Sequence, residues 1–213
     1  LNGNIKSLFR QGYISPNDYS NYDLLDYNYG VWGNKLQKVV DNGIDNLGFK
    51  DNDPSTIDYL YDLDGNLVMD LNKGITSIEY NYLNLPKQVT KDQNNKVVYT
   101  YDATGAKLRM TATTNGGATH RYYAGGFEYD GVILHLIHSD EGVTNVTESA
   151  GVRNYVPEYH LKDHLGNIRV AFIPSGTSVS VTQLNDYYAF GKISWSSGSS
   201  DNKYLYNGKE LQD

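Results

Sequence analysis

The sequence contains no cysteine. That excludes disulfides, thiolate nucleophiles and every cysteine-ligated zinc site, but leaves the compartment open, since many exported bacterial proteins also lack it. Clusters of Lys and Arg are missing too: 18 of them are scattered against 25 Asp and Glu, for a net charge of −7 and a pI of about 5.1. A sequence-independent grip on phosphate backbones needs such clusters, so nucleic acid is not an expected partner. No window approaches the roughly 18 consecutive apolar residues of a membrane-spanning helix. Good helix formers are scarce, with 8 Ala, 6 Glu and 2 Met. What fills the chain instead is 20 Tyr, 21 Gly, 22 Asn and 19 Asp in 213 residues. Abundant turn formers with abundant Tyr point to many short strands joined by tight turns. An all-α protein is excluded, and a doubly wound α/β enzyme is disfavoured.

The turns repeat. Tyr61-Asp62-Leu63-Asp64-Gly65-Asn66-Leu67 is echoed by Tyr101-Asp102-Ala103-Thr104-Gly105-Ala106-Lys107-Leu108, with weaker copies at Tyr80-Asn81-Tyr82-Leu83-Asn84-Leu85-Pro86 and from Tyr29 to Leu36. Asp163-His164-Leu165-Gly166-Asn167-Ile168-Arg169 is a further variant. Tyr61, Tyr80, Tyr101 and Tyr122 lie 19, 21 and 21 residues apart, a period near 20. Around each turn the residues alternate with period two: Val97, Tyr99 and Tyr101 share one face, and Leu108, Met110 and Ala112 do so on the way out. The Asp is placed to cap the turn with its carboxylate. The Gly three positions later can take positive φ, which suits a type I turn closed by a left-handed residue. Each unit therefore predicts a hairpin, and the Tyr before the turn buries a ring while its hydroxyl can reach a carbonyl. Hairpins of one pattern pair side by side, so the expected fold class is all-β: repeated antiparallel hairpins forming one long curled, open sheet. The breaker run Asp51-Asn52-Asp53-Pro54 ends an irregular region, and Ser196-Ser197-Gly198-Ser199-Ser200 reads as a flexible loop before a last short strand at Tyr204–Lys209.

These repeats resemble the YD repeats of bacterial Rhs (rearrangement hotspot) proteins. Four later segments are similar to the Rhs repeat-associated core of Bacteroidetes: Tyr122-Tyr123-Ala124-Gly125-Gly126-Phe127-Glu128-Tyr129-Asp130-Gly131, Tyr159-His160-Leu161-Lys162 running on to Val170, Asn185–Gly191, and Tyr204–Asp213. The resemblance divides the chain into degenerate hairpins (1–56), clear YD repeats (57–118) and core-like hairpins (119–213). It implies part of a β-shell that encloses and presents a C-terminal toxin domain, in a secreted or cell-envelope-associated polymorphic toxin. The chain starts at Leu1 and ends at Asp213. Both ends read as cut from something longer, before any cleavage motif, so no protease residue is carried over. The implied partners are the absent toxin and the rest of the shell. Open sheet edges add the expectation of edge-to-edge pairing between copies.

No catalytic, cofactor-binding or metal-ligating residue is assigned, and no cofactor is expected. Asp62-Leu63-Asp64-Gly65-Asn66 lacks the calcium-loop pattern, because Gly stands fourth and Lys73 occupies the twelfth position. His160 and His164 have a zinc-helix spacing, but Leu161 replaces the required Glu, and in a strand they would lie about 13 Å apart. His135 and His138 point to opposite faces of a strand and read as surface or satisfied core residues. Nucleophile elbows, Walker loops and dinucleotide fingerprints do not occur. The chain is thus expected to be a non-enzymatic structural segment. The alternative is a carbohydrate- or cell-surface-binding β module using exposed Tyr rows. A compact helical body, or a deep cleft of converging ionisable side chains, would contradict the scaffold expectation.

Overall fold

The computed structural model describes residues 3–15, 18–30, 33–43, 48–198 and 202–211. Among them the regular structure is β, with seventeen strands, two single-turn 3-10 helices and no α-helix. No described helix is long and apolar enough to cross a membrane. The chain divides into two compact units, Leu1–His120 and Arg121–Asp213.

The first unit opens with a three-stranded antiparallel sheet of β1 (Ser7–Ser15), β2 (Asp18–Tyr29) and β3 (Leu36–Asp41). A two-stranded hairpin follows, β4 (Tyr59–Tyr61) and β5 (Leu67–Asp70). Next come β6 (Ser77–Tyr80), β7 (Pro86–Thr90), β8 (Lys96–Tyr101), β9 (Lys107–Thr114) and β10 (Gly117–Ala124), and the boundary between His120 and Arg121 falls in β10. Tyr22, Leu25 and Val39 are buried, and so, unusually, are two carboxylates, Asp23 and Asp58. Asp58 accepts hydrogen bonds from the Val39 N–H (2.9 Å), Asn72 Nδ2 (3.0 Å) and Lys38 Nζ (3.2 Å). A buried carboxylate is tolerated only with donors of this kind, and these fasten the Asn/Asp-rich stretch to the sheet.

The second unit continues with β11 (Phe127–Asp130), β12 (Ile133–Ser139), β13 (Gly142–Ser149), β14 (Val152–Lys162), β15 (Ile168–Ser175), β16 (Ser178–Tyr187) and β17 (Ile193–Gly198). From β6 to β17 every strand neighbours its sequence neighbours in one twelve-stranded antiparallel order that does not close. The all-β hairpin sheet is the fold the repeat pattern dictates.

The turn chemistry explains this regularity. In each clear copy the Gly holds positive φ: 89° at Gly65, 90° at Gly105 and 84° at Gly166. The Asp carboxylate accepts the backbone N–H four residues on, at 2.8 Å for Asp62, 2.9 Å for Asp102 and 3.0 Å for Asp163. The weak copy at Tyr80 keeps the geometry with Asn84 at φ 57°, because Asn tolerates the left-handed region better than other side chains. A register shift falls at the Tyr before the turn in the repeats of Tyr61, Tyr80 and Tyr101, the bulge such a turn requires. The Tyr hydroxyl then reaches the preceding hairpin. Tyr80 donates to the Leu67 carbonyl (2.7 Å) and Tyr101 to that of Pro86 (2.9 Å), each the first residue after the previous turn. In the second unit Tyr187 donates to the Ile168 carbonyl (3.1 Å) at the equivalent place.

Two expectations fail near the C-terminus. Tyr204–Lys209 is not a strand; it carries a tight turn bridged at Tyr206 and Lys209, and it lies across a sheet face. Its backbone is spent on the Asp163 turn rather than on a strand edge: the Leu205 carbonyl accepts from the Ile168 N–H (2.9 Å), and the Asn207 N–H donates to Asn167 Oδ1 (2.9 Å). Ser196, Ser197 and Gly198 belong to β17, with Leu184 opposite Ser197, and not to a loop. Ser199 and Ser200 lie outside the described residues.

Candidate functional site

The second unit buries one face of its sheet. Cross-strand pairs Glu128–Leu136, His138–Val143 and Val143–Glu158 put these side chains on that face, and His160, two residues beyond Glu158, joins them. The segment 202–211 covers it. Gly142 permits the close approach of β13 to β14, since a Cβ there would sit 2.0 Å from the Glu158 carbonyl oxygen. Between the face and the covering segment lies a half-open cleft of about 120 Å³, lined by His138, Ser139, Val143, His160, Lys162 and Tyr204 among others.

Two carboxylate–imidazole pairs dominate it. His138 Nε2 lies 2.7 Å from Glu128 Oε1, and His160 Nε2 lies 3.0 Å from Glu158 Oε1. Both glutamates are buried, at 2% and 3% exposure. Glu128 also accepts from the Tyr204 hydroxyl (2.8 Å) and faces Arg121 Nη1 at 3.6 Å. The edge of one ring of the His138–Tyr204 pair meets the face of the other at 4.9 Å. Glu158 Oε2 accepts from the Thr182 hydroxyl (2.8 Å). Burial resists the charge on Glu128, but the hydrogen bonds from His138 and Tyr204 and the positive charges nearby outweigh it, so its carboxyl lies below the ordinary glutamate value. Burial first, and the Glu128 carboxylate second, push the Tyr204 phenol far up. Tyr123, which donates to Glu210 Oε1 (2.9 Å), is pushed up by burial and by that carboxylate. Both phenols are therefore permanent donors at neutral pH.

The structure sorts the sequence candidates. Asp62 is a turn cap, its carboxylate engaged by Asn66. His160 lies in β14 and His164 in the following turn. His135 faces Asp130 at 3.8 Å, whereas His138 is satisfied by Glu128. Among the described residues no group of three or more metal-ligating side chains converges. Sequence reasoning missed the meeting of His138 with His160. Half of the signal was present, since Glu158 and His160 at i, i+2 in a strand share a face; pairing Glu128 with His138 needs the register of β11 on β12.

No protein-family model matches the chain, and no curated protein matches it. Solved structures do. The crystal structure of TcdB2-TccC3-TEV matches with TM-score 0.57 and 16% identity, over 90% of this chain and 11% of that one. The crystal structure of TcdB2-TccC3-Cdc42 matches with TM-score 0.56 and 16% identity, over 94% of this chain and 12% of that one. The Photorhabdus luminescens Tc holotoxin pore carrying a TccC3 mutation matches with TM-score 0.55 and 15% identity, over 90% and 11%. At such identities the likeness is one of fold. The chain spans about a ninth of the length of these neighbours.

Proposed function

We propose that this chain is a non-enzymatic structural segment of an Rhs-type toxin shell, secreted or held at the cell envelope, that helps enclose and present a C-terminal effector. The observation that carries this reading is the fold likeness over 90% of the chain to Tc toxin chains roughly nine times longer. The sequential hairpins supply the physics: a sheet that grows by neighbour pairing alone can be extended at either end into a wall. The cleft supports a structural role as well. Both imidazole Nε2 atoms are taken by carboxylates, and Ser139 Oγ donates to the Gly142 carbonyl (3.2 Å) rather than to an imidazole. Protease protection tests the reading in the full-length gene product. Polypeptide C-terminal to this chain should resist digestion while the native protein is intact, and become labile on mild denaturation. Digestion as fast as that of the separated polypeptide would overturn it.

A second reading, a carbohydrate-binding β module, draws on the other face of the same sheet, where Tyr155 and Trp195 are 53% and 51% exposed and Tyr159 stacks on Phe172 at 5.6 Å. Saturable binding on a glycan array, abolished by Trp195→Ala, would favour it over the shell.

A further inference from the structure

We propose that the first unit holds the site of a self-formed amide cross-link, in which the Lys38 amine condenses with the Asn72 side chain on the buried carboxylate of Asp58. This goes beyond the structural role and does not depend on it. Three separate segments bring the groups together: Lys38 from β3, Asp58 from the stretch ahead of β4, and Asn72 from the single-turn helix Leu71–Lys73. Asp58 is fully buried and Asn72 is 6% exposed, so the cluster is shielded from bulk water. One carboxylate holds both reactants. Lys38 Nζ lies 3.2 Å from Asp58 Oδ1, and Asn72 Nδ2 donates to Asp58 Oδ2 at 3.0 Å. The amine is the nucleophile and Nδ2 the leaving group, so the two atoms that must exchange protons already touch the same acid–base group. The carbonyl end of the amide is engaged as well. The Asn52 N–H donates to Asn72 Oδ1 at 3.2 Å, the oxygen on which negative charge develops during attack.

The proton balance closes within the cluster. Lys38 Nζ has three acceptors: the Ser55 carbonyl (2.6 Å), the Asp53 carbonyl (3.3 Å) and Asp58. Passing its third proton to Asp58 Oδ1 leaves two N–H bonds on the carbonyls and turns the freed lone pair toward the carboxylate that holds Asn72. Away from bulk water, desolvation weighs on both charges of an ion pair, which makes the neutral amine and acid accessible. The flexible four-carbon stem of Lys38 then carries Nζ to Asn72 Cγ, and a C–N bond forms. Asp58 gives its proton to Nδ2, the Cγ–Nδ2 bond breaks with its electron pair going to nitrogen, and ammonia leaves. Asp58 takes a second proton from Nζ and ends as a neutral acid beside a secondary amide. No oxidant, metal or water is consumed. The product ties β3 to the end of the β4–β5 hairpin, and it restricts the unfolded chain as any covalent bridge does.

Tryptic digestion of the purified full-length gene product, followed by mass spectrometry, tests this. A branched peptide should appear in which Lys38 carries Asn72 as an amide, lighter by one ammonia than its two linear parts together. Trypsin should also no longer cut after Lys38, whose charge is gone. Lys38→Arg, which keeps a cation on Asp58 and the fold by circular dichroism, should return the linear peptides, and so should Asp58→Ala. The decisive reading is on the unsubstituted chain, so it stands even where a variant fails to fold. Linear, unmodified peptides from the unsubstituted chain would overturn the proposal. So would loss of a water through a Lys38–Asp58 amide, or a Lys38–Asn72 cross-link that survives Asp58→Ala.

Discussion

At the residue scale, the fold rests on a few side chains whose roles follow from elementary chemistry. Gly65 holds φ 89° with open space where a Cβ would be, so Gly65→Ala meets only the left-handed backbone penalty. Chemical denaturation should show it destabilised by about 1–2 kcal/mol, while Ala at an ordinary exposed position shows almost none. Tyr101→Phe removes the hydroxyl that reaches the Pro86 carbonyl but keeps the ring. A loss of about 1 kcal/mol is expected, and no loss would mean that this hydroxyl does not link successive hairpins. These roles were legible, because Asp, Gly and Tyr recur at fixed offsets within seven residues. The partners of Asp58 and Glu128 were not. Val39 and Asn72 reach Asp58 across 19 and 14 residues, and Tyr204 reaches Glu128 across 76, distances at which only the folded chain sets who meets whom.

At the element scale, the unit is a hairpin whose turn is capped by an aspartate, and this makes the fold sensitive to acid. Hydrogen bonds hold the carboxyls of Asp62 and Asp102 below the ordinary aspartate value of 3.8, led by Asn66 for the first and Thr104 for the second. For Asp163 burial opposes ionisation, but hydrogen bonds led by Asn167 outweigh it. A carboxyl depressed in the folded state stabilises above its unfolded value and loses that contribution as pH falls through the folded one. The urea midpoint should therefore stay level from pH 7 to about 5 and fall steeply below about pH 4. A level midpoint down to pH 2 would contradict the capping role. The covering segment is the element the sequence misrepresents. Alternation of Tyr204, Leu205 and Tyr206 has the period of a strand, but period two records only that one side is buried. Here the segment lies over the sheet as a strap, tied to it through the Leu205 carbonyl, which accepts from the Ile168 N–H and the Tyr187 hydroxyl.

At the scale of the whole molecule, an architecture of neighbour contacts predicts that damage stays local. Glu128→Ala removes the acceptor for Tyr204 and His138 and leaves Arg121 without its buried partner. It should cost the second unit about 3 kcal/mol, seen as faster amide exchange across β11–β15, while β1–β5 of the first unit exchange as before. Equal acceleration in both would show one cooperative body instead. Sequential strand order was legible from the repeat period, since a hairpin of fixed pattern has its nearest partner next in sequence. The division within β10 was not, because no shift in composition marks it. The claim on which everything turns is that this sheet is wall and not a free-standing domain. Electron cryomicroscopy of the full-length gene product tests it most directly: strands β6–β17 should run unbroken into the side of a hollow shell, with further strands paired beyond β6 and β17. Density showing these strands as a separate domain, both outer edges open to solvent and no enclosing wall, would contradict it.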